Sequence, residues 1–215
     1  MENFLKDNID FRYTKAEKFL KKFKYPWQAL EGLKEFIEEL GTTLDKEEFS
    51  EIYPRVWVHK SAKLAPVLRF TGPCIIDEGT EVRQGAYIRG GVLVGKGCVV
   101  GNSTELKNAI LFDGVQVPHF NYIGDSILGH FAHFGAGAIT SNVKCDKSRI
   151  FVNGIATGLK KLGAIVGDRV EVGCNSVLNP GTVIGKDTVI YPLSSVRGII
   201  PPDSIYKNGT AVKRV

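Results

Sequence analysis

The 215-residue sequence has one methionine and two tryptophans, and none of its four cysteines belongs to a C-x-x-C pair. Cys74, Cys98, Cys145 and Cys174 therefore lack the spacing of a zinc ribbon or a redox motif. They read as reduced, small, apolar side chains. No stretch approaches 18 uninterrupted apolar residues, so no membrane-spanning helix is expected. The opening MENFLKDNIDFRYTK has neither the apolar run nor the small-residue cleavage site of a secretory signal, which predicts a cytoplasmic protein. A strong charge excess is missing too, with 28 basic residues against 23 acidic ones. That balance argues against nucleic acid as a partner and suits an anionic small molecule. Hydrophobic residues at 43% and charged residues at 24% describe a folded chain, which excludes disorder and fibrous proteins. What the chain has in excess is glycine: 24 residues, about 11% against roughly 7% typically.

The glycines accompany a repeat. Stepping by six from Val58 gives Leu64, Phe70, Ile76, Val82, Ile88, Val94, Val100, Leu106 and Phe112, all large and apolar. The same step from Val166 gives Val172, Leu178, Ile184, Ile190 and Val196. At 43% hydrophobic content, sixteen such matches arise by chance about once in 10⁶ per register. Between the blocks the series continues with slips at Val117, Ile123, Leu128 and Phe134. A period of six fits neither a helix nor one long strand. It fits short strands joined by sharp corners, with one inward side chain per hexad and glycine easing the corner. Hexad repeats of this kind mark a parallel β-helix; a sandwich or barrel has no reason to keep the step.

The start of the chain is different. Thr14 to Glu17 has capping-box spacing, with Ala16, Phe19, Leu20 and Phe23 at helical intervals. Pro26 is expected to open a second helix, with Leu30, Leu33, Ile37 and Leu40 on one face and Gly41 as its stop. The reading divides the chain into a helical cap at 1–54, a β-helix at 55–200 and a C-terminal extension at 201–215. The hexad register is lost from Asn142 to Gly163, where Asn153-Gly154 between two apolar runs signals a type I′ hairpin within an inserted loop at about 143–163. An excursion of this length is more often functional than accidental and is expected to project, where it could cover a neighbouring subunit's cleft.

Few residues are candidates for chemistry. His119, in Val117-Pro-His-Phe-Asn-Tyr-Ile-Gly-Asp125, lies just outside a hexad position, where an imidazole faces solvent or a cleft and can take a proton near neutral pH. A surface or structural histidine is the plainer reading of the spacing alone. Arg83, Arg89 and Lys107 are the anion-binding candidates. Arg83 and Lys107, four hexads apart, are expected on adjacent faces lining one edge of the prism. His119, His130 and His133 also raise a metal site shared between subunits, although the spacing of His130 and His133 is awkward in extended chain.

The segments Gly101-Asn-Ser-Thr-Glu-Leu-Lys-Asn108, Val117 to Asp125 and Gly135-Ala-Gly-Ala-Ile-Thr-Ser-Asn142 resemble the acetyltransferase half of the bifunctional N-acetylglucosamine-1-phosphate uridyltransferase/glucosamine-1-phosphate acetyltransferases. The resemblance runs from about Val56 to the end, most specifically over Arg83 to Asn142. It implies a left-handed β-helix that assembles as a homotrimer, with acetyl-CoA as co-substrate and an anionic amino sugar as acceptor. His119 would be the general base. Arg83 and Lys107 would hold the sugar phosphate, Tyr122 and Asn142 would orient the sugar, and Lys161 matches a further phosphate-binding lysine. Ala136 would stand near the thioester, with Cys174 and Pro192 at positions that contact coenzyme A. The sequence departs from the family at His133, where an asparagine is expected, and at Val143, where a tyrosine is. Serine and alanine are replaced by Cys174 and Pro192. Nothing matches the glycine-rich nucleotide loop of the uridyltransferase half, so no pyrophosphorylase activity is expected from this chain. The altered positions keep two other functions open: a non-catalytic sugar-nucleotide-binding or scaffold trimer, and a metal-dependent hydratase of the carbonic anhydrase type.

Overall fold

A computed structural model describes residues 2–214. Its body is a left-handed parallel β-helix whose short strands stack into three flat faces. On face 1, Val58, Ile76, Val94, Leu111, Leu128, Val166, Ile184 and Ile200 stand in register, one per coil. Face 2 carries Leu64, Val82, Val100 and Val117, then Phe134, Val172 and Ile190. Face 3 carries Phe70, Ile88, Leu106, Ile123, Thr140, Leu178 and Val196. These inward columns are the hexad positions, and nearly all are fully buried; Leu64 and Phe70, in the first coil, are only partly so.

The slips in the repeat have a physical cause. Val56, Cys74 and Val92 are paired at intervals of 18 residues, but Val92, Ala109 and Ser126 at intervals of 17. In the two short coils the strands Glu105–Leu111 and Tyr122–Leu128 run from face 3 into face 1 without a break. The missing residue is taken from that corner, where Asn108 and Asp125 adopt left-handed φ values of 49° and 47°. Asn and Asp tolerate this conformation better than other residues with side chains. Leu111 therefore takes the inward position that the six-residue step assigned to Phe112, which is buried one place further on and meets the edge of Phe11.

Face 1 differs from the others in being apolar on its outer side as well. Trp57, Ile75, Leu93, Ile110, Ile127, Ile165 and Val183 point away from the coil interior, yet all are buried. The N-terminal helices supply cover. α3 (Leu33–Thr43) lies against the strands Cys74–Ile76 and Val92–Val94, and the 3₁₀ turn Pro26–Leu30 lies against Tyr122–Leu128. The helical segment thus covers the flank of the solenoid. α3 does not stop at Gly41. That residue is inside the helix because a Cβ there would collide with the Trp57 indole. The Thr14 capping signal yields only one turn, α2 (Glu17–Leu20), and Glu17 pairs forward with Lys21 at 2.6 Å instead of completing the box. Ahead of it, α1 (Glu2–Asn8) has no counterpart in the sequence expectations.

Between α1 and α2 the chain forms a strap along the edge where faces 1 and 2 meet. The Asn8 side chain accepts from the Lys186 amide at 2.8 Å, and the Asp10 amide donates to Asp168 at 2.9 Å. Tyr13 stacks on His130, and Lys15 pairs with Asp77 at 3.0 Å. The excursion contains the expected hairpin: Phe151–Val152 pairs antiparallel with Ile155–Ala156, and Asn153 and Gly154 both have positive φ. It folds back on its own chain rather than projecting freely, since Ile150, Val152 and Leu162 are buried, while Val143 and Phe151 are its exposed large apolar residues. A terminal hairpin, Ser204–Lys207 with Thr210–Lys213, follows the last full coil.

Candidate functional site

Face 3 is bounded by two edges, and the candidate residues divide between them. At the edge with face 2, Asn102, His119, Ala136, Cys174 and Pro192 form a column on consecutive coils. His119 is paired with Asn102. The amide after each corner residue donates to the corner carbonyl one coil earlier: Phe120 to Asn102 (2.8 Å), Gly137 to His119 (3.0 Å), Asn175 to Ala136 (2.8 Å) and Leu193 to Cys174 (2.9 Å). At about 4.8 Å per coil, the column from His119 to Pro192 is roughly 14 Å long. The four sequence-predicted positions are thus brought onto one line.

His119 is exposed, but its backbone is firmly held. Its amide donates to the Asn121 side chain at 3.0 Å, and the amide nitrogen of that side chain donates to the carbonyls of Gly135 and Ala138, both at 2.9 Å. Asn121 is buried beneath the corner, so two coils are tied under the imidazole. The ring itself has no hydrogen-bond partner among the described residues. Asn121 was not singled out in the sequence, where nothing distinguishes it from any other asparagine of the motif.

The opposite edge of face 3 is internally bonded. Asp125 stands on the shortened corner with only 6% of its side chain exposed. It accepts from Lys107 Nζ at 3.1 and 3.2 Å, from Asn108 at 2.8 Å, and from the Asn142 amide in a short hydrogen bond. Asn142 also reaches Tyr122 Oη at 3.2 Å. The Tyr122 ring crosses over Gly124, where a Cβ would stand 2.5 Å from the phenol oxygen. Burial, and next the Asp125 charge, push the Tyr122 phenol above its ordinary pKa, so it stays a neutral O–H donor. The excursion closes on this cluster: the Leu162 amide donates to Asn142 O and the Gly163 amide to Asp125 O. Lys107, Tyr122 and Asn142 are therefore brought together, through an aspartate that the sequence reading quoted but gave no role. Its signal is the break in the six-residue step.

Arg83 is not part of this cluster. It lies at the end of face 2, paired with Glu81 at 3.0 Å, and its guanidinium lowers that carboxyl's pKa. The residue beside Lys107 is Arg89, because Ile88 is paired with Leu106 and the Arg89 amide donates to Leu106 O at 2.7 Å. Four hexads do put Arg83 and Lys107 on adjacent faces, 2 and 3, and every step between them is six residues. Each follows the inward residue of its own face, however, so Arg83 stands at the edge of faces 2 and 3 and Lys107 at the edge of faces 3 and 1. Arg89 is paired with Glu105 at 2.8 Å on the exposed surface. Lys161 is exposed at the end of the excursion, directly before Leu162.

The three histidines considered for a metal do not converge within the chain. His119 is on the edge of faces 2 and 3, His133 pairs with Glu171 on face 2 at 2.7 Å, and His130 is stacked on Tyr13 at the strap. Among the described residues no three ligand-type side chains form a metal cluster. No described helix is long and apolar enough to cross a membrane.

Comparison with known proteins agrees with the architecture. Residues 70–200 match the family model described as the GMPPB C-terminal domain. The chain is 33% identical over 210 residues to a bifunctional GlmU protein of Methanococcus maripaludis, covering 87% of this chain and 47% of that one. It is also 33% identical over 147 residues to a bifunctional sugar-1-phosphate nucleotidylyltransferase/acetyltransferase of Sulfurisphaera tokodaii, covering 58% of this chain and 37% of the other. The chain thus spans about half or less of the length of these curated relatives. A solved hexapeptide transferase family protein of Anaplasma phagocytophilum superposes with a TM-score of 0.50 at 17% identity, over 74% of this chain and 79% of that one, which shows a shared fold. With its family match running through the coils that carry both edges of face 3, the chain belongs to the GMPPB C-terminal domain family of hexapeptide-repeat β-helices.

Proposed function

We propose that the chain transfers an acetyl group from acetyl-CoA to the amine of an amino sugar phosphate or nucleotide-linked amino sugar. One observation carries this reading. Three adjacent coils hold an exposed, backbone-pinned imidazole, His119, at one edge of face 3 and the Tyr122–Asn142–Asp125–Lys107 cluster at the other. The bifunctional relatives, one of them named for acetyl transfer, support the same reaction class.

In this mechanism His119 removes the proton from the attacking amine as its nitrogen adds to the thioester carbonyl. The C–N bond forms and the C–S bond breaks. Coenzyme A leaves as thiolate and recovers the proton from the imidazolium. The base needs no buried partner, since a fixed backbone and an open ring suffice to orient it on substrate. The column of Ala136, Cys174 and Pro192 gives an extended coenzyme a surface running away from the reacting centre. Tyr122 orients the sugar by donating its O–H, and Asn142, whose amide hydrogens are held by Tyr122 and Asp125, by accepting at its side-chain oxygen. Lys107 and its column neighbour Arg89 supply paired cations for the phosphate. Arg83 contributes only if a second protomer brings its edge across, as it would in a homotrimer with sites between chains. Lys161, at the end of the excursion, would serve as a further phosphate contact in the same assembly.

The test is release of free coenzyme A thiol by the purified chain over a panel of amino sugar phosphates and nucleotide-linked amino sugars. Turnover on at least one of them is expected, and its absence across the panel sinks the proposal. Calorimetry that finds sugar-nucleotide binding without acetyl-CoA binding would identify a binding module instead.

A further inference from the structure

A cleft lies away from face 3, where the strap and the turn after α2 overhang the edge between faces 1 and 2. Its volume is about 990 Å³, at the upper end of the range for small-molecule sites. Its walls carry seven lysine and arginine side chains against three aspartates. Most of the charges are already engaged. Arg12 holds Asp10, Lys21 pairs with Glu17, Arg169 forms a fork on Asp187, and Lys24 lies over the Tyr25 ring. Asp168 accepts from the amides of Asp10 and His130, which leaves Asp7 as the carboxylate of the lining without a partner among the described residues. The Lys22 and Lys186 side chains form no hydrogen bond or close ion pair among the described residues, Lys186 acting on Asp187 only through its charge. They line the cleft from different elements, Lys22 just after α2 and Lys186 on the solenoid edge.

Apart from Ile9, the remaining lining is aromatic. Phe11 and Phe23 are half-buried and Tyr13 is exposed. Tyr13 stacks on His130 with ring centroids 4.1 Å apart. His130 is 7% exposed, and its Nδ1 lies 3.0 Å from Asp168 Oδ1 but off the line a hydrogen bond needs, so this buried polar atom lacks a partner. A buried polar atom in that state calls for an explanation, and a ligand site next to it is one. Unpaired cations on two elements suit a chain of phosphates, and the aromatic lining suits a planar ring joined to them.

We propose that this cleft is a second ligand site, which takes a nucleoside diphosphate or triphosphate and is separate from the proposed transferase surface. The phosphates would bridge Lys22 and Lys186, and the base would lie against the aromatic wall. The cleft is built from the strap and the solenoid edge together, so ligand bound there would also clamp the N-terminal segment onto the coils.

The experiment is calorimetric titration of the full chain with UDP, ADP and inorganic pyrophosphate, repeated on K22Q/K186Q and on K107Q. Both replaced lysines of the cleft lie at the surface, and thermal melting without ligand checks that the double variant is as stable as the parent. One saturable site per chain is expected whose affinity falls at least tenfold in K22Q/K186Q and persists in K107Q. The nucleotides should also raise the melting temperature of the parent more than that of the double variant. The proposal is overturned if no saturable nucleotide site is found, if binding survives K22Q/K186Q, or if it is lost in K107Q. Equal affinity for pyrophosphate and the two nucleotides overturns the nucleoside assignment. Acetyl transfer measured in K22Q/K186Q keeps this outcome separate from that of the proposed function, which does not use either lysine.

Discussion

Faces 1 and 3 share the same coil and the same inward column of large apolar side chains, but they differ on the outside. Face 1 turns Trp57, Ile75, Leu93, Ile110 and Ile127 outward, and all are buried, with helices lying against this face. Face 3 turns Tyr87, Glu105, Tyr122 and Ile139 outward, and none of them is fully buried. The hexad therefore specifies that a coil forms, and the outward residues specify what each face is for. A face that is apolar on both sides must be covered. A face with half-exposed polar side chains between two ordered edges is free to work on a ligand.

The largest expected effect belongs to the open edge. Replacing His119 with alanine should lower kcat for acetyl transfer by about 10²–10⁴-fold, the usual worth of a positioned general base. Coenzyme A binding and thermal stability should stay near the parent's, because the exposed ring makes no hydrogen bond among the described residues. Unchanged kcat would remove the imidazole from the chemistry and break the functional half of the comparison.

The covered face is tested by stability. Ile110→Ala, on the outward side of face 1, should destabilise by about 2–5 kcal/mol in urea unfolding, like any core residue. Ile139→Ala, at an outward and half-exposed position of face 3, should cost about 1 kcal/mol or less. Equal losses would mean that face 3 is as covered as face 1.

Asp125 comes next. Its removal leaves Lys107, Asn108 and Asn142 without their common acceptor at a nearly dry corner. Asp125→Ala should therefore cost about 2–3 kcal/mol, reduced from the fully buried case because Lys107 keeps some access to water. Asp125→Asn should cost less, since asparagine accepts the φ of 47° and keeps one acceptor oxygen. Urea midpoints for the two variants decide the matter, and an alanine variant as stable as the asparagine one would show that the cluster contributes little.

The inward columns were legible because every hexad repeats one physical demand, a large apolar side chain at a fixed step. His119, Ala136, Cys174 and Pro192 were singled out by a resemblance, and the register puts them on one edge, which the sequence did not say. Arg83 was misplaced because two residues on adjacent faces share an edge only if one ends its face and the other begins the next, and Arg83 and Lys107 both stand at the downstream end of their own faces. The two corners one residue short, at Asn108 and Asp125, do show in the sequence as slips: the five-residue step from Ile123 to Leu128 where it occurs, and that from Leu106 to Leu111 one place late, between Phe112 and Val117. Their meaning does not, because a slip does not say which corner loses the residue. The flank position of α3 could have been read from the apolar triplets Cys74–Ile76 and Val92–Val94, which leave an outward side chain in need of cover. Gly41 misled because glycine ends helices and also permits close contact, and only the position of Trp57 tells the two apart.

A chemical probe sharpens the contrast between interior and edge. Burial pushes the thiols of Cys74 and Cys98 up to about 12, so they remain protonated and unreactive at ordinary pH. Cys145 and Cys174 are exposed. A thiol reagent at mild alkaline pH should modify two sites in the folded chain and four in denaturant, with mass spectrometry locating the first two at Cys145 and Cys174. Labelling of Cys98 in the folded state would mean that the coil interior opens readily.

The smallest effect concerns the strap. The hydrogen bond from the Arg12 guanidinium lowers the Asp10 carboxyl from 3.8 to about 2. A carboxyl whose folded value lies below its unfolded value adds stability that is complete above the unfolded value and is lost as pH falls through the folded one. The relevant window is thus about pH 4 down to pH 2, and above it Asp10 adds no pH dependence. Because the pair is partly exposed, the contribution is only a few tenths of a kcal/mol. Asp10→Asn removes the titration while keeping an acceptor for the Arg12 amide. Its urea midpoint should be slightly lower than the parent's at neutral pH, and the two should converge as pH approaches 2, since the other depressed carboxyls, such as Asp187 beside Arg169, titrate in both. A gap that widens on acidification would reverse the sign and detach Asp10 from the anchoring of the strap.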